Sequence, residues 1–321
     1  MMKIRGMLAA GMSMLALAAA AQSAAEIKVA KWKGDAKACF LLAFDDGCPS
    51  QMKNVIPMLD KYKLPGTFYI FPEGGHFAWQ KDKWAKAAES PYIFLGNHTI
   101  DHKDILKAAD FEPSLLKCAA VLKEMTPNEK WPRLVSFAVP GVKTWNITKE
   151  EVAQVLKRHH HVERPDYHGP PFFRGKTEEA LKLIDETIAS GGIEHLDFHG
   201  VGGDWLSAPT EYLEAVCKKL DSSRKDVWTA AAEQYNKYEA ERAAAKIERP
   251  TLTKTSASFT LSVPGLDAQI YDFPLTVVVP AAGWTSAKVT VGKGKSVVVP
   301  VVDGKVLVEV LAGPVRVEKI K

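Results

Sequence analysis

Residues 39–47 read Cys-Phe-Leu-Leu-Ala-Phe-Asp-Asp-Gly, a short apolar run that ends in two acids and a glycine. An apolar run of this length, followed by a turn signal, predicts a buried strand over residues 39–44. A second stretch, Gly-Asn-His-Thr-Ile-Asp-His at residues 96–102, follows another short apolar run. Each stretch therefore places polar side chains where a buried strand ends, and parallel strands collect functional groups at their carboxyl ends.

Around these two stretches, short apolar runs alternate with segments of helical periodicity from about residue 38 to residue 245. Strands that alternate with helices predict a sheet of parallel strands joined by crossovers. About seven such units favour a barrel over an open sheet. We therefore expect an α/β fold in which residues 26–248 form a (β/α) barrel of about seven parallel strands.

The composition changes near residues 248–250. Residues 249–321 are rich in Thr, Val and Ser, have little helical periodicity, and contain turn signals at residues 292–294 and 303–304. Short strands separated by such turns predict a small antiparallel β-domain, sandwich-like in form. Its role stays open between binding a glycan or protein and packing against the barrel.

The N-terminus has the pattern of a secretory signal. Lys3 and Arg5 precede an apolar stretch over residues 7–21, and small residues follow at 23–25. A basic start, a short apolar centre and a small-residue cleavage site predict a signal peptide over residues 1–25. The alternative is a retained membrane anchor, but the stretch is short for a spanning helix. We expect export to the periplasm or the extracellular space, with no stable membrane span after cleavage.

The composition argues against two other classes of protein. The formal net charge is +4, and the Lys and Arg residues are scattered rather than gathered in a stripe, which argues against nucleic-acid binding. The four cysteines contain no C-x-x-C pair, which argues against a zinc ribbon or a redox motif. Export permits disulfides, and three pairings stay open among Cys39, Cys48, Cys118 and Cys217.

Two histidines and two neighbouring acids together indicate a metal site. His98 and His102 are four residues apart, a spacing at which two imidazoles of one helical turn can meet one ion. Asp45 and Asp46 would repel each other unless a cation or hydrogen bonds hold them. Taken alone, the acids also fit a common turn, and the histidines also fit an ordinary loop. Their shared place after predicted strands instead indicates metal-assisted hydrolysis, with one acid binding the metal and the other activating water.

The two stretches together resemble the first two signature motifs of a known family. Phe-Asp-Asp-Gly at residues 44–47 and Gly-Asn-His-Thr-x-x-His at residues 96–102 are similar to motifs of the polysaccharide deacetylases, carbohydrate esterase family four. The resemblance spans roughly residues 38–245. It implies an irregular barrel of parallel strands that removes acetyl groups from sugars. It also implies one divalent metal, zinc before cobalt, nickel or manganese.

The resemblance implies a role for each matching residue. Asp45 would be the general base that takes a proton from water. His199, at the end of a predicted strand over residues 193–198, would be the general acid toward the leaving group. His195 is the rival of His199, but it lies near the start of that strand, away from the carboxyl end. The residues that would hold the metal are Asp46, His98 and His102.

One position departs from the family pattern. Ala138 stands where the third motif usually carries an arginine that positions the base, two residues before Pro140. Arg164 and Arg174 are candidates for supplying that charge. The alternative is a subgroup in which the base has different neighbours.

Further residues are expected to line the substrate cleft. Asp204 and Trp205 follow His199 in a loop, where Trp205 either stacks on a sugar ring or anchors the loop. His168 lies in a Pro- and Gly-rich loop, and such loops often build substrate sites. Pro140, after the predicted strand over residues 134–139, completes this group.

Three consecutive histidines occupy residues 159–161, after a predicted helix over residues 148–158. The residues Thr148 and Glu151 at the start of that helix have the spacing of a capping box. Because the histidine run is internal, it is not a purification tag. We interpret it as a solvated helix end.

These observations predict an exported, metal-dependent hydrolase that removes N- or O-linked acetyl groups from an oligo- or polysaccharide. One alternative is a hydrolase of a non-sugar amide or ester on the same scaffold. The other is a catalytically inactive carbohydrate-binding protein. The presence of both a base and an acid argues against the second alternative, because a binding protein needs neither.

Overall fold

The computed structural model describes residues 26–74, 76–77, 79–166 and 175–320. The predicted signal peptide, residues 1–25, and His168 and Arg174 lie outside these ranges. Within these ranges, no helix is long and apolar enough to cross a membrane. The chain forms a curled sheet of parallel strands with surrounding helices, and a smaller antiparallel β-domain.

Strands and helices alternate along the first part of the chain, as the sequence predicts. The strands up to residue 230 are β1 (Lys28–Val29), β2 (Ala38–Asp45), β3 (Gly66–Ile70), β4 (Ile93–Asn97), β5 (Val135–Phe137), β6 (His161–Glu163), β7 (Ile193–Phe198) and β8 (Val227–Ala230). The helices are α1 (Ile56–Tyr62), α2 (Lys81–Ala87), α3 (Ala108–Met125), α4 (Lys149–Arg158), α5 (Thr177–Ser190), α6 (Thr210–Ser222) and α7 (Ala232–Ala244). A 3-10 turn covers Lys33–Asp35, and a π-helical turn at Gln51–Val55 leads into α1.

The parallel sheet has the strand order β6-β5-β4-β3-β2-β7, and β8 also pairs with β2. Along one edge of β2, residues 39–44 pair with β7. Along the other edge, β8 pairs with residues 38–41 and β3 with residues 43–45. The outer strands β6 and β7 do not pair within the described residues, but Arg164, which follows β6, reaches β7, with its Nη2 3.3 Å from an Asp197 oxygen. The sheet therefore curls into an irregular barrel, which confirms the predicted fold class.

The core of the barrel forms around β2, whose eight residues are all buried. The ring of Phe44 stacks on Phe68 and Phe198, with centroids 4.8 and 5.3 Å apart. Helix α3 buries residues at helical spacing against the sheet, among them Leu115, Cys118 and Leu122. This packing fixes the strand ends from which the polar motifs emerge.

The capping box predicted at the start of α4 is confirmed. The Glu151 backbone N–H donates to Thr148 Oγ1 at 3.2 Å, and the Thr148 N–H donates to Glu151 Oε2 at 2.9 Å. These bonds satisfy two of the backbone donors that a helix start leaves free.

The second part is an antiparallel β-domain, as predicted. Its strands are β9 (Lys246–Leu252), β10 (Ser256–Ser262), β11 (Leu275–Pro280), β12 (Ser286–Val291), β13 (Val297–Pro300), β14 (Lys305–Val310) and β15 (Gly313–Lys319). They form one sheet in the order β13-β12-β15-β10-β9 and a second in the order β1-β11-β14. The tight turn at Asp303 and Gly304 has positive φ at both residues, 51° and 71°, as a two-residue hairpin turn requires.

Strand β1 joins the β-domain although it precedes the barrel in sequence. Lys28 pairs with Val278 of β11, and Ile27 is buried in the core of the β-domain. The Tyr238 hydroxyl on α7 donates to the Ala30 carbonyl at 2.9 Å, which fixes the segment that follows. Strand β1 and helix α7, at the two ends of the barrel sequence, therefore connect the barrel with the β-domain.

The interpretation of residues 159–161 as a solvated helix end is wrong for His161. Helix α4 ends at Arg158, and His161 begins β6, where its side chain is buried. Because His161 pairs with Val135 of β5, it belongs to the parallel sheet and not to the end of the helix. The four cysteines are also buried, and none forms a disulfide.

Candidate active site

The carboxyl ends of β2, β4 and β7 bring together five side chains that the sequence singles out. Asp45 ends β2 and Asp46 follows it, His98 follows β4, and His199 follows β7. Asp46 lies at the centre of the group. Its Oδ1 is 3.6 Å from His98 Nε2 and 3.5 Å from His102 Nε2, and its Oδ2 is 3.7 Å from His199 Nε2.

Asp46, His98 and His102 form a donor set that fits a divalent metal. One ligand atom from each residue lies within 4.8 Å of the other two. Asp46 Oδ1 is buried and has no hydrogen-bond partner among the described residues, which is costly for a carboxylate oxygen unless a cation fills the space. Two imidazole nitrogens and one carboxylate oxygen are ligands that zinc accepts, with further positions left for water or substrate.

The ring of His98 is already oriented for such a role. Its Nδ1 donates to the Ala138 carbonyl at 2.9 Å, which leaves the lone pair of Nε2 directed toward Asp46. Burial lowers the pKa of His98, although the Asp45 and Asp46 carboxylates oppose this shift. Ala138, which stands where the family pattern has an arginine, thus orients the His98 ring through its backbone oxygen.

The two histidines do not share a helical turn, so that part of the prediction is wrong. The chain between them instead turns through left-handed backbone, with φ of 65° at Thr99 and 53° at His102. Thr99 Oγ1 accepts a hydrogen bond from the His102 backbone N–H at 3.2 Å. This turn sets the two imidazole centroids 5.0 Å apart, and the Phe71 ring packs 4.9 Å from that of His102.

Asp45 is a buried carboxylate held by Arg164. Arg164 Nη1 donates to Oδ1 at 2.8 Å and Nη2 donates to Oδ2 at 3.1 Å. Burial alone would raise the pKa of Asp45, but the Arg164 guanidinium, with smaller help from His98, lowers it below its usual value. Arg164 follows β6. It therefore places beside Asp45 the positive charge that Ala138 cannot supply.

Arg164 is itself fixed on three sides. Besides Asp45, it contacts Asp197 of β7 at 3.3 Å, and its guanidinium lies 5.1 Å from the centroid of the Tyr69 ring. The Tyr69 hydroxyl shares a 2.7 Å hydrogen bond with Ser136 Oγ. A planar guanidinium suits such a site, because it pairs with a carboxylate through two bonds and stacks on an aromatic ring at the same time.

The two candidate general acids occupy different places. His199 reaches the carboxyl end of the sheet, with 19% of its side chain exposed. His195 is buried in β7, where its Nε2 lies 3.4 Å from Asp197 Oδ1 and it pairs in register with Leu41. Only His199 therefore lies beside both Asp46 and solvent.

The loop after β7 is hydrogen-bonded to Ser50, the residue before the π-helical turn that leads into α1. The Ser50 backbone N–H donates to Asp204 Oδ2 at 2.5 Å, so this carboxylate fixes the loop. Trp205 projects from the same loop with 65% of its surface exposed, while its carbonyl accepts from the Gly200 N–H at 2.9 Å. A side chain at Gly200 would collide with the Gly203 carbonyl oxygen, so the loop requires a glycine there. Pro140 is buried after β5.

Two residues of the site were missed by sequence reasoning. Gln51 is fully buried, and its Nε2 donates to the carbonyls of both Asp45 and His199, at 2.6 and 2.9 Å. Nothing in the sequence marks it, because a glutamine at a helix start is ordinary. Asp197 did leave a signal, since an acid between Leu196 and Phe198, near the end of a predicted buried strand, requires a partner.

The comparison with protein families confirms the resemblance read from the motifs. The family described as polysaccharide deacetylase matches residues 33–162, a segment that contains Asp45, Asp46, His98 and His102. No curated protein matches the chain.

Several solved structures are similar in fold. A family 4 carbohydrate esterase from Streptomyces lividans is 15% identical, with a TM-score of 0.44 over 60% of this chain and 92% of that one. A polysaccharide deacetylase from Bacillus cereus is also 15% identical, with a TM-score of 0.42 over 60% and 91%. A protein from Bacillus anthracis, described as a family 4 pseudoenzyme, is 18% identical, with a TM-score of 0.43 over 59% and 62%.

Proposed function

Because residues 33–162 match the polysaccharide deacetylase family, we propose that the protein is an exported hydrolase that removes acetyl groups from a carbohydrate with one divalent metal. The observation that carries the proposal is the meeting of a buried base, a candidate metal site and a partly exposed histidine at the carboxyl end of one sheet. Asp45, Asp46 and His199 come from two neighbouring strand ends, as this chemistry requires.

The metal would be held by Asp46, His98 and His102. When bound, it would supply Lewis acidity to the acyl carbonyl and to the attacking water. Zinc is the favoured ion for two imidazoles and one carboxylate, and cobalt, nickel and manganese accept similar ligands.

Asp45 takes the proton of the attacking water. The two hydrogen bonds from Arg164 keep its carboxylate ionised and fix the direction of both oxygens. An ionised, oriented carboxylate beside the metal ligands is ready to accept a proton at neutral pH. Its backbone is held as well, because Gln51 donates to its carbonyl at 2.6 Å.

His199 gives a proton to the leaving nitrogen or oxygen. It follows β7, which pairs with β2, and its Nε2 is 3.7 Å from the Asp46 carboxylate, so the ring lies beside the candidate metal site. Because Gln51 donates to the carbonyls of both Asp45 and His199, the base and the acid share one buried anchor.

The substrate is an acetylated oligo- or polysaccharide. The indole of Trp205 is exposed, on a loop that the Asp204 carboxylate fixes through a hydrogen bond from the Ser50 N–H. It offers a flat apolar surface on which a sugar ring can stack. Pro140 and His168 remain proposed contacts. The signal-like N-terminus supports export to the periplasm or beyond the cell.

The test is acetate release by the mature protein, residues 26–321, with a panel from chitooligosaccharides to acetylated xylan. Zinc-loaded protein is compared with chelated protein. We expect zinc-dependent release from at least one acetylated sugar. Release from no sugar, together with tight binding of one metal, would reject the sugar and direct the search to other amides and esters. Release that is the same with and without metal would reject the metal dependence.

A further inference from the structure

A chain of hydrogen bonds reaches the metal-binding turn from behind β4. Asn97, the last residue of β4, is fully buried. Its Oδ1 accepts from the Thr99 backbone N–H at 3.0 Å, and its Nδ2 donates to the Leu115 carbonyl of α3 at 2.9 Å. A backbone N–H only donates and a carbonyl only accepts, so these two contacts identify which end of the Asn97 amide is oxygen and which is nitrogen.

The second hydrogen of that amide points at His161. Asn97 Nδ2 lies 3.1 Å from His161 Nε2, which must therefore accept. The other ring nitrogen, Nδ1, lies 2.7 Å from the His159 carbonyl and must donate. Both contacts agree on one neutral tautomer, and burial lowers the pKa of His161 to about 4, so the ring stays an acceptor at neutral pH.

The turn that this chain supports is not stable by itself. Thr99 is a β-branched residue with φ of 65°, a backbone conformation that such residues strongly disfavour. A strained turn persists only where its surroundings hold it, and Asn97 and Thr99 are fully buried, away from bulk solvent. Thr99 in turn holds the His102 N–H through its hydroxyl.

We propose that His161 is a positioning residue for the metal site. It fixes the amide of Asn97, which holds Thr99, which sets the spacing of His98 and His102. His161 lies two strands away from β4, so it acts without touching either histidine ligand. The inference rests on the proposed function only in that a divalent metal binds at this turn.

The test measures the Zn²⁺ dissociation constant of the mature protein by competition with a chromogenic chelator. His161→Leu fills the volume but removes the acceptor, whereas His161→Gln offers Oε1 to the Asn97 amide. Tyr238→Phe is the matched control, because it removes another buried hydrogen bond, to the Ala30 carbonyl, remote from the turn. Thermal unfolding and circular dichroism confirm that each variant is folded. If His161→Leu does not fold, His161→Met replaces it, since its sulfur is only a weak acceptor.

We expect His161→Leu to weaken Zn²⁺ binding about 10–100-fold, the range found for partners of metal ligands. His161→Gln and Tyr238→Phe should bind zinc nearly as the wild type does. Equal zinc affinity in the wild type and His161→Leu would overturn the inference, as would an equal loss in the Leu and Gln variants. Absence of zinc binding by the wild type would instead reject the metal site and this inference with it.

Discussion

Arg164 and Asp45 form an ion pair of two hydrogen bonds, 2.8 and 3.1 Å long, that joins the ends of β6 and β2 across the top of the barrel. The two residues are 119 positions apart in sequence. The pair places a fixed positive charge beside the candidate base, although Ala138 occupies the position where the family pattern has an arginine. Arg164 therefore supplies beside Asp45 a positive charge that Ala138 cannot supply.

Arg164→Gln should shift the acidic limb of the kcat/KM profile to higher pH. Without the guanidinium, burial raises the pKa of Asp45, so more alkaline conditions are needed to ionise the base. The measurement is the pH dependence of acetate release.

Arg164→Lys is the control for that variant. It retains the charge but not the two parallel hydrogen bonds, so we expect a lower kcat with the acidic limb close to that of the wild type. An unchanged acidic limb in Arg164→Gln would show that Arg164 does not set the ionisation of Asp45.

Gln51→Leu should lower kcat while leaving KM nearly unchanged. The variant removes the donor that holds the carbonyls of Asp45 and His199, so the base and acid lose their common anchor. Displacements of about 1 Å in such groups can reduce turnover about 100-fold, and we expect a loss between tenfold and that value. Steady-state kinetics on the preferred sugar measure it.

Asn54→Ala is a matched control for Gln51→Leu. Asn54, in the π-helical turn before α1, also binds the loop after β7, but its Nδ2 donates at 2.6 Å to the Val201 carbonyl instead of to that of Asp45 or His199. If both variants lose the same fraction of kcat, loosening of the loop explains the effect and Gln51 has no specific role.

Zinc should raise the thermal unfolding temperature of the wild type, and Asp46→Asn should abolish most of that rise. A ligand that binds only the folded state stabilises it by about 2.7 kcal/mol at a hundred times its dissociation constant. Differential scanning fluorimetry with added zinc and with chelator measures the effect. The same rise in Asp46→Asn would place the metal elsewhere.

Glu241 should make the protein less stable as the pH rises. Burial raises its pKa to about 7, against hydrogen bonding from the Phe273 N–H, so the folded state keeps a proton that the unfolded chain releases near its ordinary pKa of 4.5. The folded state thus binds more protons between about pH 4.5 and 7, and the contribution present at low pH is lost across that window.

Glu241→Gln removes the titration and retains an acceptor for the Phe273 N–H. Urea unfolding at pH 5 should give similar free energies of unfolding for the wild type and this variant. At pH 8 the variant should be the more stable of the two. A difference that does not change with pH would contradict a raised pKa at Glu241.

The sequence predicted those parts of the site that are encoded locally. Asp45, Asp46 and His199 end strands whose apolar runs are readable, so their convergence followed from the parallel sheet alone. Arg164 was only one of two candidates for the contact with Asp45, because this contact crosses from β6 to β2. The roles of Gln51 and His161 depend on partners distant in sequence, which strand and helix periodicity does not encode.

The same limit applies to the fold. The barrel and the β-domain follow from the alternation of strands and helices and from turn signals such as Asp303-Gly304. The pairing of β1 with β11 joins residues about 250 positions apart, and a two-residue strand has no detectable periodicity. The chain from His98 to His102 does not form a helix because the Asn97 and Thr99 side chains accept hydrogen bonds from the Thr99 and His102 backbone N–H groups and hold a left-handed backbone there.

The most direct test of a metal-assisted mechanism with Asp45 as base is zinc content and acetate release measured together on the Asp45→Asn variant. Because Asp45 is not among the proposed ligands, the variant should bind one zinc per chain as the wild type does. Its acetate release should fall about 10²–10⁴-fold, the contribution of a general base. Release at the wild-type rate by the zinc-loaded variant would contradict the account.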